Sequence, residues 1–104
     1  MKYIAVVTTV GNLDEARSIA RALVERKLVA CAHVSEIESF YIWQDALQEE
    51  KEFQLVCKTT GDRYQAVESA IRELHPYDLP DIHARALESI YPPYADWLEN
   101  SVTG

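Results

Sequence analysis

Cys31 and His33 stand two residues apart. On an extended strand that spacing turns both side chains to one face, and a thiolate beside an imidazole suits copper or zinc. Two ligands do not close a metal site. The alternative is a free cysteine behaving as a small buried hydrophobe between Ala30 and Ala32. His75 is a better ligand candidate, because it immediately precedes Pro76, where a helix has to stop. There it either takes an ion or caps the helix by bonding a carbonyl. Cys57 alternates with Phe53 and Leu55 and belongs to a core, while His83 reads as an exposed strand residue.

These side chains need elements to hold them. Residues 2–9 are apolar and β-branched and predict a first strand. A turn at Val10-Gly11-Asn12 leads to a helix starting near Asn12 or Leu13, with Asp14 and Glu15 favourable to its dipole. Ala16, Ile19, Ala20, Leu23 and Val24 form its apolar stripe. From Cys31 to Trp43 an alternating pattern puts Cys31, His33, Ser35, Ile37, Ser39, Tyr41 and Trp43 on one strand face. Gln44-Asp45-Ala46 predicts a hairpin turn without the usual glycine, followed by a return strand over 50–59. Thr60-Gly61-Asp62 opens a second helix with Tyr64, Val67, Ala70, Ile71 and Leu74 inward. After a stiff connection at 75–80 come a last strand near 81–88 and a short helix with Tyr94, Trp97 and Leu98 on one side.

The order βαββαβ plus a short C-terminal helix predicts an α+β, ferredoxin-like fold in one domain over residues 1–104, with a long second hairpin. Both main helices would cover one sheet face. Tyr41, Trp43 and Phe53 would then leave apolar surface in water around the hairpin, and self-association is the simplest remedy.

Composition narrows the function. The formal net charge is −7 and no Lys/Arg cluster offers the positive face that nucleic acid or an anionic membrane requires. No apolar run approaches the roughly 20 residues that span a bilayer. Two cysteines in a chain with a sufficient core fit a reducing cytoplasm, not a disulfide framework. An enzyme is not expected. A phosphoryl-handling site on this fold needs a glycine-rich nest and an Arg, which Val10-Gly11-Asn12 lacks. A metal carrier of this fold needs paired cysteines in that same loop, and it has none.

Ala30-Cys31-Ala32, then Ser39, Tyr41 and Trp43, Glu52, Lys58-Thr59, His75-Pro76-Tyr77, Pro80, Tyr94 and Trp97, in that order on the expected elements, resemble the CutA family of divalent-ion tolerance proteins over essentially the whole chain. The resemblance implies a homotrimer related in architecture to PII-type signalling proteins. It also implies a link to tolerance of copper and other divalent ions, and no settled enzymatic activity. Some members hold copper through a His preceding the equivalent of His75 and a Cys near the end of the first strand. Those positions here are Leu74 and Thr8, so only His75 carries over. The resemblance also places Tyr41, Trp43, Glu52, Lys58, His75 and Tyr77 near a boundary between subunits. They either line a cleft for a small ligand or ion, or pack between subunits with Glu52 and Lys58 paired across the interface. The expected function is a non-catalytic trimer responding to divalent ions. The alternative is a PII-like protein that binds a small anionic ligand in the inter-subunit cleft.

Overall fold

The computed structural model describes residues 2–103. In chain order the elements are β1 (Tyr3–Val10), α1 (Leu13–Glu25), β2 (Cys31–Trp43), β3 (Ala46–Thr60), a 3-10 turn (Gly61–Arg63), α2 (Tyr64–Leu74), β4 (Ile82–Ala86) and α3 (Pro92–Val102). The four strands form one antiparallel sheet in the order β2-β3-β1-β4, the ferredoxin-like topology expected from the element order.

Local signals explain the boundaries. The Asn12 side chain accepts the Glu15 backbone N–H at 2.8 Å and donates to the Glu15 carboxylate at 2.9 Å, a reciprocal cap that starts α1. The helix ends at Glu25 with Arg26 as its cap, and Lys27, at φ 58°, turns the chain so that Lys27 and Leu28 donate back to Val24 and Leu23. Pro76 forces His75 out of helical geometry, and His75 caps α2 with ψ 134°. Gln44 and Asp45 form a two-residue turn with φ of 51° and 65°, the conformation that matches hairpin twist. Asp supplies the left-handed geometry in place of glycine.

Alternation along the strands divides the side chains between two faces. On one face Ile4, Val6, Val10, Leu55 and Cys57 bury against Ala16, Ile19 and Leu23 of α1 and Val67, Ala70 and Ile71 of α2. Val24, expected in that stripe, is exposed, and Phe53, expected near wet surface, packs against this core. The opposite face is partly covered: Leu98 and Val102 of α3 bury with Ala30, and Tyr3, Ile90 and Tyr94 pack around them. The buried stripe of α3 is Ala95, Leu98 and Val102, so Trp97 does not join it and stands half-exposed. The 102/98/95 spacing follows the helical repeat, whereas consecutive Trp97 and Leu98 lie about 100° apart around the axis.

The sheet is not supported along its whole length. β1 ends at Val10, opposite Phe53, while β2 and β3 continue pairing from Ile37–Glu52 to Trp43–Ala46. That stretch is a two-stranded arm, and the molecule is drawn out to 46 × 25 × 21 Å. Its start at Ala46, four residues before the strand expected from Glu50, is what lengthens it.

One core position is mismatched. Thr8 is fully buried between the β3 and β4 neighbours Leu55 and Ile82, and its hydroxyl has no hydrogen-bond partner. Such a group forfeits its water bonds without replacement, at about 1–3 kcal/mol. Thr8→Val keeps the shape and removes the hydroxyl. It should raise the denaturant midpoint by the equivalent of about 1 kcal/mol at fixed protein concentration with unchanged m-value; a lowered midpoint would show that the hydroxyl has a role in the core.

Candidate functional site

The side chains with chemical character gather at two places on the sheet face opposite α1 and α2. The first lies where the arm leaves the body. Glu52 is only 5 % exposed although it stands in the first residue pair of the arm, just beyond the end of β1. The Tyr77 phenol donates to its carboxylate at 2.8 Å. The ring of Tyr77 is set by its neighbour two residues earlier. His75 Nε2 lies 2.7 Å from the Thr9 carbonyl, an acceptor only, so Nε2 carries the proton. Nδ1 is then free to accept the Tyr77 backbone N–H at 3.1 Å. The two rings meet edge to face at 4.8 Å. Gly11 completes the packing: a β-carbon there would come within 3.1 Å of the Tyr77 hydroxyl. Burial, then the bond to Glu52, raises the Tyr77 phenol well above its ordinary pKa. Beside this group the Tyr41 phenol donates to Glu50 at 3.0 Å, a bond that also raises the Tyr41 pKa.

The second place lies at the other end of the same face. Cys31 and Lys58 are direct cross-strand partners. Tyr94, from α3, reaches over them: its hydroxyl is 3.5 Å from the Cys31 sulfur, and the Lys58 ammonium sits 5.3 Å from its ring centroid. Trp97 stacks on Tyr94 at 5.4 Å. The contact with Cys31, then burial, pushes the Tyr94 phenol up to about 12.

The structure therefore brings Glu52, His75, Tyr77 and Tyr41 together, and sets Lys58 and Cys31 apart from them. Trp43 stands at the arm tip, about half-exposed. His83 pairs with Asp81 at 2.8 Å and touches neither group. Sequence reading misses Glu50, Gly11 and the Thr9 carbonyl, since none belongs to a periodic pattern or a ligand pair. It also misses the meeting of Tyr94 with Cys31 and Lys58, which the path of α3 creates across 63 residues.

A resident metal does not fit these residues as they stand. Both ring nitrogens of His75 are committed to protein groups. Thr8 is in the helix-side core and Leu74 packs against that core. Among the described residues no three His, Cys, Asp or Glu side chains converge. Cys57 is inert, its thiol pushed up to about 12 by burial.

Comparison with known proteins gives a consistent result. Residues 4–101 match the family described as CutA1 divalent ion tolerance protein. A divalent-cation tolerance protein CutA from Thermococcus kodakarensis is 36% identical over 104 residues, covering 100% of both chains. A CutA homolog from Xenopus laevis is 37% identical over 99 residues, 94% of this chain and 66% of that protein. The solved structure of a periplasmic divalent cation tolerance protein CutA from Archaeoglobus fulgidus superposes with TM-score 0.95 at 30% identity, over 97% of this chain and 99% of that one. CutA from Synechococcus elongatus gives TM-score 0.95 at 34% identity, over 98% and 91% of the two chains.

The geometry makes His75 a latch. His75→Ala removes both ring hydrogen bonds and should cost roughly 2 kcal/mol of stability, against about 1 for Tyr77→Phe, in chemical denaturation at fixed concentration. Calorimetric titration with copper or zinc should show no binding heat that depends on His75. A heat abolished by His75→Ala without loss of fold would make the imidazole a ligand after all.

Proposed function

The chain belongs to the CutA1 family of divalent ion tolerance proteins, and on that footing we propose that it acts as a non-catalytic homotrimer in the cellular response to divalent ions such as copper. The observation that carries the assembly is the arm. Beyond Val10 it has no third strand, and an isolated two-stranded hairpin is marginal in water. Its apolar residues face both ways: Phe40, Ile42 and Leu47 are 60–66% exposed on the helix side, and Tyr41 and Trp43 are 38% and 47% exposed on the other. A hairpin with one wet face would alternate apolar with polar. This one exposes large apolar side chains on both faces toward its tip, which supports an element inserted between other chains. The edge strands β2 and β4 also present unpaired backbone groups that neighbouring chains can take up.

The non-catalytic reading rests on the commitments of the reactive side chains. His75 holds a loop, Cys57 is a core residue, and Cys31 lies under Tyr94. No ion-binding step is assigned to His75 for the same reason. The described residues contain no helix long and apolar enough to cross a membrane. Two free cysteines on opposite sheet faces support a reducing cytoplasm. The rival function, a small anionic ligand held between subunits, has Lys58 in its favour. Against it stand the carboxylates of Glu50 and Glu52 and the net charge of −7.

Sedimentation at micromolar concentration should give a particle of three times the 11.9 kDa chain mass. A folded 11.9 kDa species would end the assembly reading. Trp43→Ala should lower the melting temperature by about 5 °C or more through lost packing of the arm against other chains. An unchanged melting temperature would place Trp43 outside the interface. Heat on adding a nucleoside triphosphate, with none on adding copper, would favour the rival.

A further inference from the structure

The open sheet face carries charges of opposite sign at its two ends, and neither Glu52 nor Lys58 has an ion-pair partner among the described residues. At the arm root Glu52 is buried, and its one hydrogen bond comes from the uncharged Tyr77 phenol. Glu50 receives only the Tyr41 phenol. Neither carboxylate has a cation partner among the described residues, whereas Glu36 at the arm root meets Lys51 at 4.0 Å. At the other end Lys58 is half-buried, lies over Tyr94 and makes no ion pair among the described residues. Arg85 lies in the same row of the sheet, one strand beyond Ala5, and adds to the positive charge there. In the middle of the face the row His33, Val56 and Val7 carries no carboxylate or permanent cation, and at its β4 end the Asp81 carboxylate is already taken up by His83 at 2.8 Å.

Glu52 and Lys58 cannot meet within one chain. They are six residues apart on one strand, and at ~3.3 Å per residue the separation is roughly 20 Å, beyond the combined reach of the two side chains along a flat face. A carboxylate this deeply buried without a cation is costly, and the same holds in lesser degree for a half-buried ammonium. We propose that Glu52 of one copy of this chain pairs with Lys58 of the next. The arm root of each subunit would then sit on the Tyr94 platform of its neighbour. This rests on the trimer proposed above and supplies its specificity. In the trimer the contact is head to tail, the kind of interface that closes into a ring when the rotation permits. It also fixes the register: a copy stacked in the same direction without displacement along the strand would set Glu52 against Glu52 and Lys58 against Lys58.

Glu52→Gln keeps an acceptor for Tyr77 while removing the charge, and Lys58→Met keeps the aliphatic stem. Each should raise the concentration at which the assembly dissociates by at least about tenfold. The double substitution should be no worse than the worse single one, because the second loss relieves the charge stranded by the first. Purely additive effects would overturn the pairing. Carbodiimide coupling of the wild-type protein gives a second readout that does not depend on any variant folding. The peptide bearing Glu52 of one chain should be joined to the peptide bearing Lys58 of another, distinguished by mixing isotopically labelled and unlabelled subunits. Inter-chain coupling confined to other residues would refute it. A wild-type chain that sediments as a monomer would sink the trimer itself; a wild-type trimer with additive substitutions would sink only this pairing.

Discussion

The feature on which the rest of the structure depends is a mismatch in strand length. β1 has 8 residues and β3 has 15, so the sheet is four strands wide near the helices and two strands wide beyond Phe53. Where it is wide, the helices dry one face and α3 dries part of the other, and the buried side chains are those of an ordinary small α+β domain. Where it is narrow, beyond the cover that Tyr77 gives Glu52 at the root, no other element among the described residues lies over either face. A domain of this length already buries a modest share of its surface. An uncovered ribbon of this length is the feature on which the proposed assembly rests.

A long ribbon must also be aimed. The junction between body and arm is held by a chain of contacts from three separate segments: the Thr9 carbonyl and Gly11 after β1, His75 and Tyr77 after α2, and Glu52 on β3. Pro76 stiffens the loop so that one imidazole and one phenol suffice to fix it. The bonds lie at the root, where a small rotation would sweep the distant Trp43 through a large arc. The buried polar groups are thus placed where angular precision matters more than the desolvation they incur.

Much of the fold is legible in the sequence because its signals are local and periodic. The stripe Ala16, Ile19 and Leu23, the stop at Pro76 and the alternation of Phe53, Leu55 and Cys57 each follow from one element's own spacing. What escapes is decided by register and by the path of the chain. The extra length of β3 depends on a turn built from Gln44 and Asp45, residues without the glycine signature of a hairpin. The face buried by α3 is Ala95, Leu98 and Val102, three unremarkable positions overshadowed by the aromatic pair Tyr94 and Trp97. The candidate site was legible as a set of residues but not as an arrangement. The strand spacing separates Lys58 from Glu52, but which groups gather around each depends on the loop after α2 and on the path of α3.

That separation bears on what kind of protein this is. An active site concentrates its reactive groups, because a nucleophile, a base and an oxyanion donor act only within a few ångströms of one another. Here the groups are distributed, each tied to a structural neighbour: His75 to a backbone carbonyl, Cys31 and Lys58 to Tyr94, Glu52 to Tyr77. The distribution follows the long axis of the sheet, with the acidic groups of the arm at one end and Lys58 with Arg85 at the other. Such a polarised, partly dehydrated face has little to offer a reacting substrate and much to offer an identical face displaced along it. This distribution of charge is what the proposed recognition between copies draws on.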